Sequence, residues 1–240
     1  MGVLRLIALT ALVLVLSAWG ETSMRAPVRW QSRMIFGFPL DQKRIVDHSQ
    51  ISVPYTQGDA AWQRGAWYFD GNGDGVLTNF KTAYNLGTFT ISFWAKLNTT
   101  ANATFKAVVA RQNTAANNSV WYILYDLTAD SYSFYTSAVT GTDPYSSSHI
   151  SVTDLNWHQI AYTYKAGEFR KYLDGRLVQS YAITFTPATS DKMVSVGNGD
   201  SGNTTANSWN GGLKFVYGWD RAFQPSEIWQ LYSQQRNYVR

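Results

Sequence analysis

TFTISFWAKL, residues 88–97, alternates apolar and polar positions along its whole length. Phe89, Ile91, Phe93 and Ala95 fall on one face of an extended chain, with Thr90, Ser92, Trp94 and Lys96 on the other. A period of two marks a strand, because successive side chains of a pleated backbone point to opposite faces. Working outward, the same pattern recurs at 66–69, 106–110, 120–125, 131–137, 150–153, 158–164, 169–173, 176–181, 193–196 and 213–219. Stretches rich in Asn, Ser, Thr and Gly separate these segments, notably 98–104, 113–119, 140–148 and 198–210. Asp174-Gly175 stands between two strand-like runs and predicts a two-residue hairpin, since both residues tolerate positive φ. One helix is expected near the C-terminus. Pro225 suits its first position, and Ile228, Leu231 and Tyr232 recur at helical spacing. Many short strands with one helix predict an all-β, two-sheet antiparallel sandwich or jelly roll.

Composition agrees with a packed domain. Hydrophobic residues make up 45% of the 240, aromatics 15% and charged residues only 15%, the reverse of a disordered chain. The net charge of +4 is spread thinly, with no basic run longer than Lys43-Arg44 or Arg170-Lys171. Nucleic acid, which calls for clustered cations, is not an expected partner. The chain holds no cysteine, which removes disulfides, thiolate metal sites and cysteine nucleophiles.

Residues 1–20 have the layout of a secretory signal peptide. A basic start precedes an apolar run from Leu6 to Leu16, with small residues Ala18 and Gly20 before Glu21. The other reading is an uncleaved N-terminal anchor, which would be the chain's route to a membrane. Its uncharged run falls short of the roughly 20 residues of a spanning helix. Residues 21–34 are expected to form a loose N-terminal arm and 35–240 a single domain. The expected location is secreted or displayed on a surface.

Five segments, in order, resemble the concanavalin A-like, laminin G-like jelly rolls. They are PLDQKRIVDHSQ (39–50), AWYFDGNGDGV (66–76), TFTISFWAKL (88–97), NWHQIAYTYKAGEFRKYLDGRLV (156–178) and GGLKFVYGWDRAFQPSEIWQLY (211–232). The resemblance implies a two-sheet sandwich that mostly serves in binding glycans or proteins. It also implies core roles for Phe69, Phe89, Phe93, Phe134, Trp157 and Phe215. In relatives the FDG turn and an aspartate further on often hold a structural calcium ion. Here that aspartate's position falls on Lys214, with Phe215 beside it, so Lys214 is expected to replace the ion and pair with Asp70. A second reading keeps calcium in the turn 70–75, DGNGDG, where Asp70, Asn72 and Asp74 offer hard oxygen ligands. Position twelve of that loop is Lys81, so no cofactor is assigned firmly.

Hydrolases of this fold usually carry ExDxE or ExDxxE on one strand, to place the two carboxylates that glycoside cleavage needs. The glutamates are Glu21, Glu168 and Glu227, none within three residues of another acid. His48, His149 and His158 lack metal-ligand spacing, and no GxSxG elbow presents a serine. The expectation is a protein that is not an enzyme, a binding module for a glycan or polysaccharide at a cell or virus surface. The alternative is a structural or adhesive protein docking on a surface or virion protein, and a glycoside hydrolase ranks third. Aromatic faces that stack on sugars and polar groups that hydrogen-bond them are sought off the main core stripe. This selects Trp94, Trp121, Tyr125, Tyr145 and Trp209, with Asp143, Asn203 and Asn207 as companions.

Overall fold

The computed structural model describes residues 28–79, 82–98, 105–112, 119–136, 149–184, 193–199 and 207–239. The expected signal peptide, 1–20, lies outside them, as do Asp143, Tyr145 and Asn203. Among the described residues no helix is long and apolar enough to cross a membrane.

Two antiparallel sheets face each other. The first, in spatial order, holds β13 (Arg176–Tyr181), β12 (Glu168–Leu173), β11 (His158–Lys165), β6 (Phe89–Leu97), β15 (Asn210–Trp219), β4 (Ala66–Asp70) and β3 (Ala61–Gln63). Its eighth strand, β1 (Met34–Phe38), pairs with the far half of β15. The second runs β10 (Ile150–Ser151), β9 (Ser131–Tyr135), β8 (Ser119–Asp126), β7 (Phe105–Gln112), β14 (Ser195–Val196), β5 (Gly75–Leu77) and β2 (Tyr55–Gln57). The all-β sandwich expected from periodicity is the architecture found.

Between the sheets lies the main core. Phe89, Ile91 and Phe93 meet Val108, Ile123, Phe134, Ile160, Tyr162 and Phe169 there, all essentially without exposure. The stripe read from 88–97 therefore points inward. Its opposite face is buried as well. Trp94 packs with Tyr172, Phe215, Tyr217, Trp219 and Phe223 in a second apolar cluster on the outer side of the first sheet.

The helix α2 (Pro225–Gln235) covers that second cluster with Ile228 and Leu231. Its start is locked by Glu227, whose carboxylate accepts from the Gln224 backbone N–H at 2.8 Å and from Arg221 at 2.9 Å. A carboxylate in the first turn also opposes the positive end of the helix dipole.

One expectation fails at the N-terminal edge. The end of the supposed loose arm is packed, with a helical turn α1 (Val28–Gln31) leading straight into β1. Trp30 is 1% exposed, lies 4.9 Å from the Phe223 ring, and its carbonyl accepts from the Trp219 indole. Burying so large an apolar ring outweighs the polar character of its neighbours.

The hairpin at Asp174-Gly175 is as expected. Leu173 pairs with Arg176, and both turn residues have positive φ, 49° and 76°. Near the start of the domain, Asp47 organises the loop after β1. Its carboxylate accepts from the N–H groups of Gly37, Ser49 and Ser52 and from both serine hydroxyls.

Candidate binding face and acidic hollow

Four of the aromatic residues selected from the sequence are buried, so they present no face to a ligand. Trp94 is 3% exposed, donates to Gln235 at 2.8 Å and stacks on Tyr232 beneath α2. Trp121 and Trp209 are wholly buried in the main core. The Tyr125 hydroxyl donates to the Val152 carbonyl at 2.7 Å, and burial beside Asp130 and Asp126 pushes it up to about 12. Of the sugar-binding candidates among the described residues, Asn207 is the exposed one.

The strand β8 was the right place and the wrong side. Trp121, Ile123 and Tyr125 point into the sandwich, which turns Tyr122, Leu124 and Asp126 outward. Register then assembles a face. Tyr122 lies opposite Tyr135 of β9, and Leu124 opposite Ser133 on one side and Ala107 of β7 on the other. Asp126 lies between Phe105 and Ser131, and Ser131 in turn pairs with Ser151 of β10.

The two tyrosine rings stack at 4.6 Å with 25° between their planes, each half-buried. Beside them Phe105, Ala107, Tyr122, Leu124 and Asn207 line a small, mostly apolar hollow. Polar groups border this strip. Ser133 Oγ and His149 Nδ1 share a hydrogen bond of 2.6 Å, and the Asp126 carboxylate accepts from Thr128. A tyrosine pair, an apolar recess and the part-exposed His149 imidazole form a surface that can take the apolar face of a ring and hydrogen-bond its substituents, while Ser133 and Asp126 are buried beneath it. The signal for it was present in the sequence. Of the two alternate sets in β8, the one containing Trp, Ile and Tyr is the more apolar, and burial selects that set for the core.

A second feature lies at the turn between β4 and β5. Asp59, Asp70 and Asp74 bring carboxylate oxygens within 4.8 Å of one another. The hollow there is also lined by Gln63, Tyr68 and Asn98. Asp74 is buried, and its two oxygens accept from the backbone N–H groups of Asp59 at 2.8 Å and Asp70 at 3.0 Å. Gly58, at φ 76°, permits this approach, because a Cβ there would collide with the Asp74 carboxylate. Burial raises the Asp74 carboxyl above its usual range, and the negative charge of Asp70 adds to the rise.

The expected Lys214–Asp70 pair is not formed. Asp70 lies opposite Asn210 in the β4–β15 register, while Lys214 falls beyond Leu213 and Trp67. The Lys214 ammonium instead donates to the Tyr238 carbonyl at 2.9 Å and sits 5.5 Å over the Trp157 ring, with burial lowering its pKa. Lys214 therefore does not fill the acidic hollow. Its hard oxygen donors fit a calcium ion, with Asp59, Asp70 and Asp74 as ligands, each carboxylate keeping lone pairs beyond those it gives to N–H groups. Asp59 was missed because it comes from a separate turn. Asn72, read as a ligand, is exposed, and its backbone N–H serves to close the turn onto Asp70.

A family model described as the concanavalin A-like lectin/glucanases superfamily matches residues 70–229. No curated protein sequence matches the chain. Among solved structures, the binding domain of botulinum neurotoxin serotype D/C superposes with a TM-score of 0.68 at 15% identity, covering 85% of this chain and 52% of that one. The binding domain of botulinum neurotoxin DC in complex with rat synaptotagmin II gives 0.65 at 14%, covering 85% and 52%. A Trypanosoma rangeli sialidase in complex with 2,3-difluorosialic acid gives 0.66 at 12%, covering 87% and 34%. The chain thus spans about half of the neurotoxin domains and a third of the sialidase. Likeness at such identities speaks for the fold alone.

Proposed function

This chain belongs to the concanavalin A-like lectin/glucanases superfamily, and from that premise we propose that it is a non-catalytic module that binds a glycan. The binding surface is the outer face of β7, β8 and β9. The observation that carries this reading is the Tyr122–Tyr135 pair, two stacked rings on the outer side of a sheet whose Trp121, Tyr125, Tyr132 and Phe134 turn inward. The jelly-roll neighbours support it, since two of them are binding domains and one is a sialidase captured with a sialic-acid derivative.

Two arrangements favour binding over hydrolysis. Ser133 beside His149 is wholly buried, which withholds its hydroxyl from attack on a substrate. In the acidic hollow, each oxygen of Asp74 accepts from a backbone N–H group, so the carboxylate braces two turns. The layout of residues 1–20 supports an exported or surface-displayed protein.

A second reading rests on the edge of the first sheet. Leu177 and Val178 of β13 and Trp229 of α2 are each close to half exposed, and a strand that is at the sheet edge among the described residues, with apolar side chains, suits a protein partner. A glycan array probed with the purified chain separates the two. Specific signals that vanish in Tyr122→Ala support the glycan reading. A blank array, with capture of one surface component lost in Leu177→Asp, supports the protein reading instead.

A further inference from the structure

The hollow beside the tyrosine pair narrows the class of sugar. It measures about 80 Å³, the space of between two and three waters at roughly 30 Å³ each. Phe105, Ala107 and Leu124 make its apolar lining, the Tyr122 ring forms one wall, and Asn207 supplies the polar group. A sugar hydroxyl placed here would give up its hydrogen bonds to water for contacts with carbon. A methyl group gains from the same surroundings. Asn207 adds a requirement of its own. Its side-chain amide offers both donors and an acceptor, which pair best with another amide.

Charge narrows the choice further. Asp126 lies on the same face, opposite Phe105 in the register and 7% exposed. No cation lines the hollow among the described residues. A sugar carboxylate would therefore approach a like charge in apolar surroundings, and a free amine would lose its hydration.

We propose that this hollow receives the acetamido group of a neutral N-acetylated amino sugar, with the pyranose ring packed beside the Tyr122 ring that walls it. The methyl occupies the pocket between Ala107 and Leu124, and the amide meets Asn207 at the rim. The proposal rests on the glycan-binding reading above and goes beyond it by naming the substituent that is read.

Titration calorimetry of the full chain with three soluble trisaccharides tests it: triacetylchitotriose, its deacetylated form chitotriose, and cellotriose. The acetylated sugar should bind about tenfold or more tighter than the other two, the scale of discrimination that a small apolar pocket provides. Ala107→Leu, which fills the pocket, should bring the acetylated sugar down to the level of cellotriose. Asn207→Ala, at an exposed position that the fold does not depend on, should weaken the acetylated sugar selectively. Equal affinity for the acetylated sugar and cellotriose would overturn this inference and leave glycan binding standing. No binding to any of the three would also overturn it, and the glycan array then decides separately whether the broader reading survives.

Discussion

His158 Nδ1 lies 2.8 Å from Asp174 Oδ2, tying the strand β11 to the turn between β12 and β13. Its other ring nitrogen meets Asp154 at 2.9 Å, so the imidazole is held between two carboxylates. The hydrogen bond to Asp174 is the chief cause that raises its pKa from 6.5 to about 9, against the opposing effect of burial. A group whose folded pKa exceeds its unfolded value stabilises fully below the unfolded value, and loses that contribution as pH rises through the folded one. Denaturant unfolding should therefore show about 3 kcal/mol lost between pH 6.5 and 9.5. In His158→Gln this pH dependence should flatten.

The same turn abuts the C-terminal helix. A Cβ on Gly175 would meet Tyr232 Cβ at 2.8 Å and Trp229 Cε3 at 2.9 Å, at a φ of 76°. Gly175→Ala should cost about 1–3 kcal/mol, from backbone strain and the displaced helix together. Thermal melting checks this. A neutral result would mean that the hairpin and α2 are not in contact.

Trp94 serves the fold. Trp94→Ala should destabilise by about 3–5 kcal/mol, the cost of emptying a large buried site. Gln235→Ala leaves the Trp94 indole N–H without its acceptor and should cost about 1–3 kcal/mol. Glycan affinity of the folded fraction should be unchanged in Gln235→Ala, because neither side chain reaches the binding face.

Calcium should raise the melting temperature, since Asp59, Asp70 and Asp74 converge and Lys214 lies elsewhere. At a hundredfold excess over its dissociation constant, a ligand that binds only the folded state adds about 2.7 kcal/mol. Chelator should remove the effect, and Asp70→Asn should abolish it. Lys214→Met should leave the calcium response intact, the outcome opposite to the one expected from a lysine in the ion's place. A melting curve indifferent to calcium would refute the fit of the hollow.

The strands, the hairpin at Asp174-Gly175 and the helix after Pro225 were legible because period, turn chemistry and capping act locally. What lay beyond the sequence was set by pairing between distant segments. Whether Trp94 faces water depends on α2, more than a hundred residues later, folding over it. Lys214 was placed against Asp70 by counting along a motif, and the register between β4 and β15 puts Asn210 there instead. In β8 both alternating sets contain aromatics, so the choice of face turned on total apolar surface. Counting it would have found Tyr122 in place of Trp121. Asp59 left no mark at all, since its approach to Asp74 depends on a turn fitted around Gly58.

The central claim is that the outer face of β7–β9 holds a sugar. It is tested most directly by affinity for the strongest array glycan in the wild type, Tyr122→Ala and Tyr135→Ala, with melting followed in parallel. The account predicts a loss of about tenfold or more in each variant, equivalent to roughly 1.4 kcal/mol, while both stay folded. Wild-type affinity in both folded variants would contradict it.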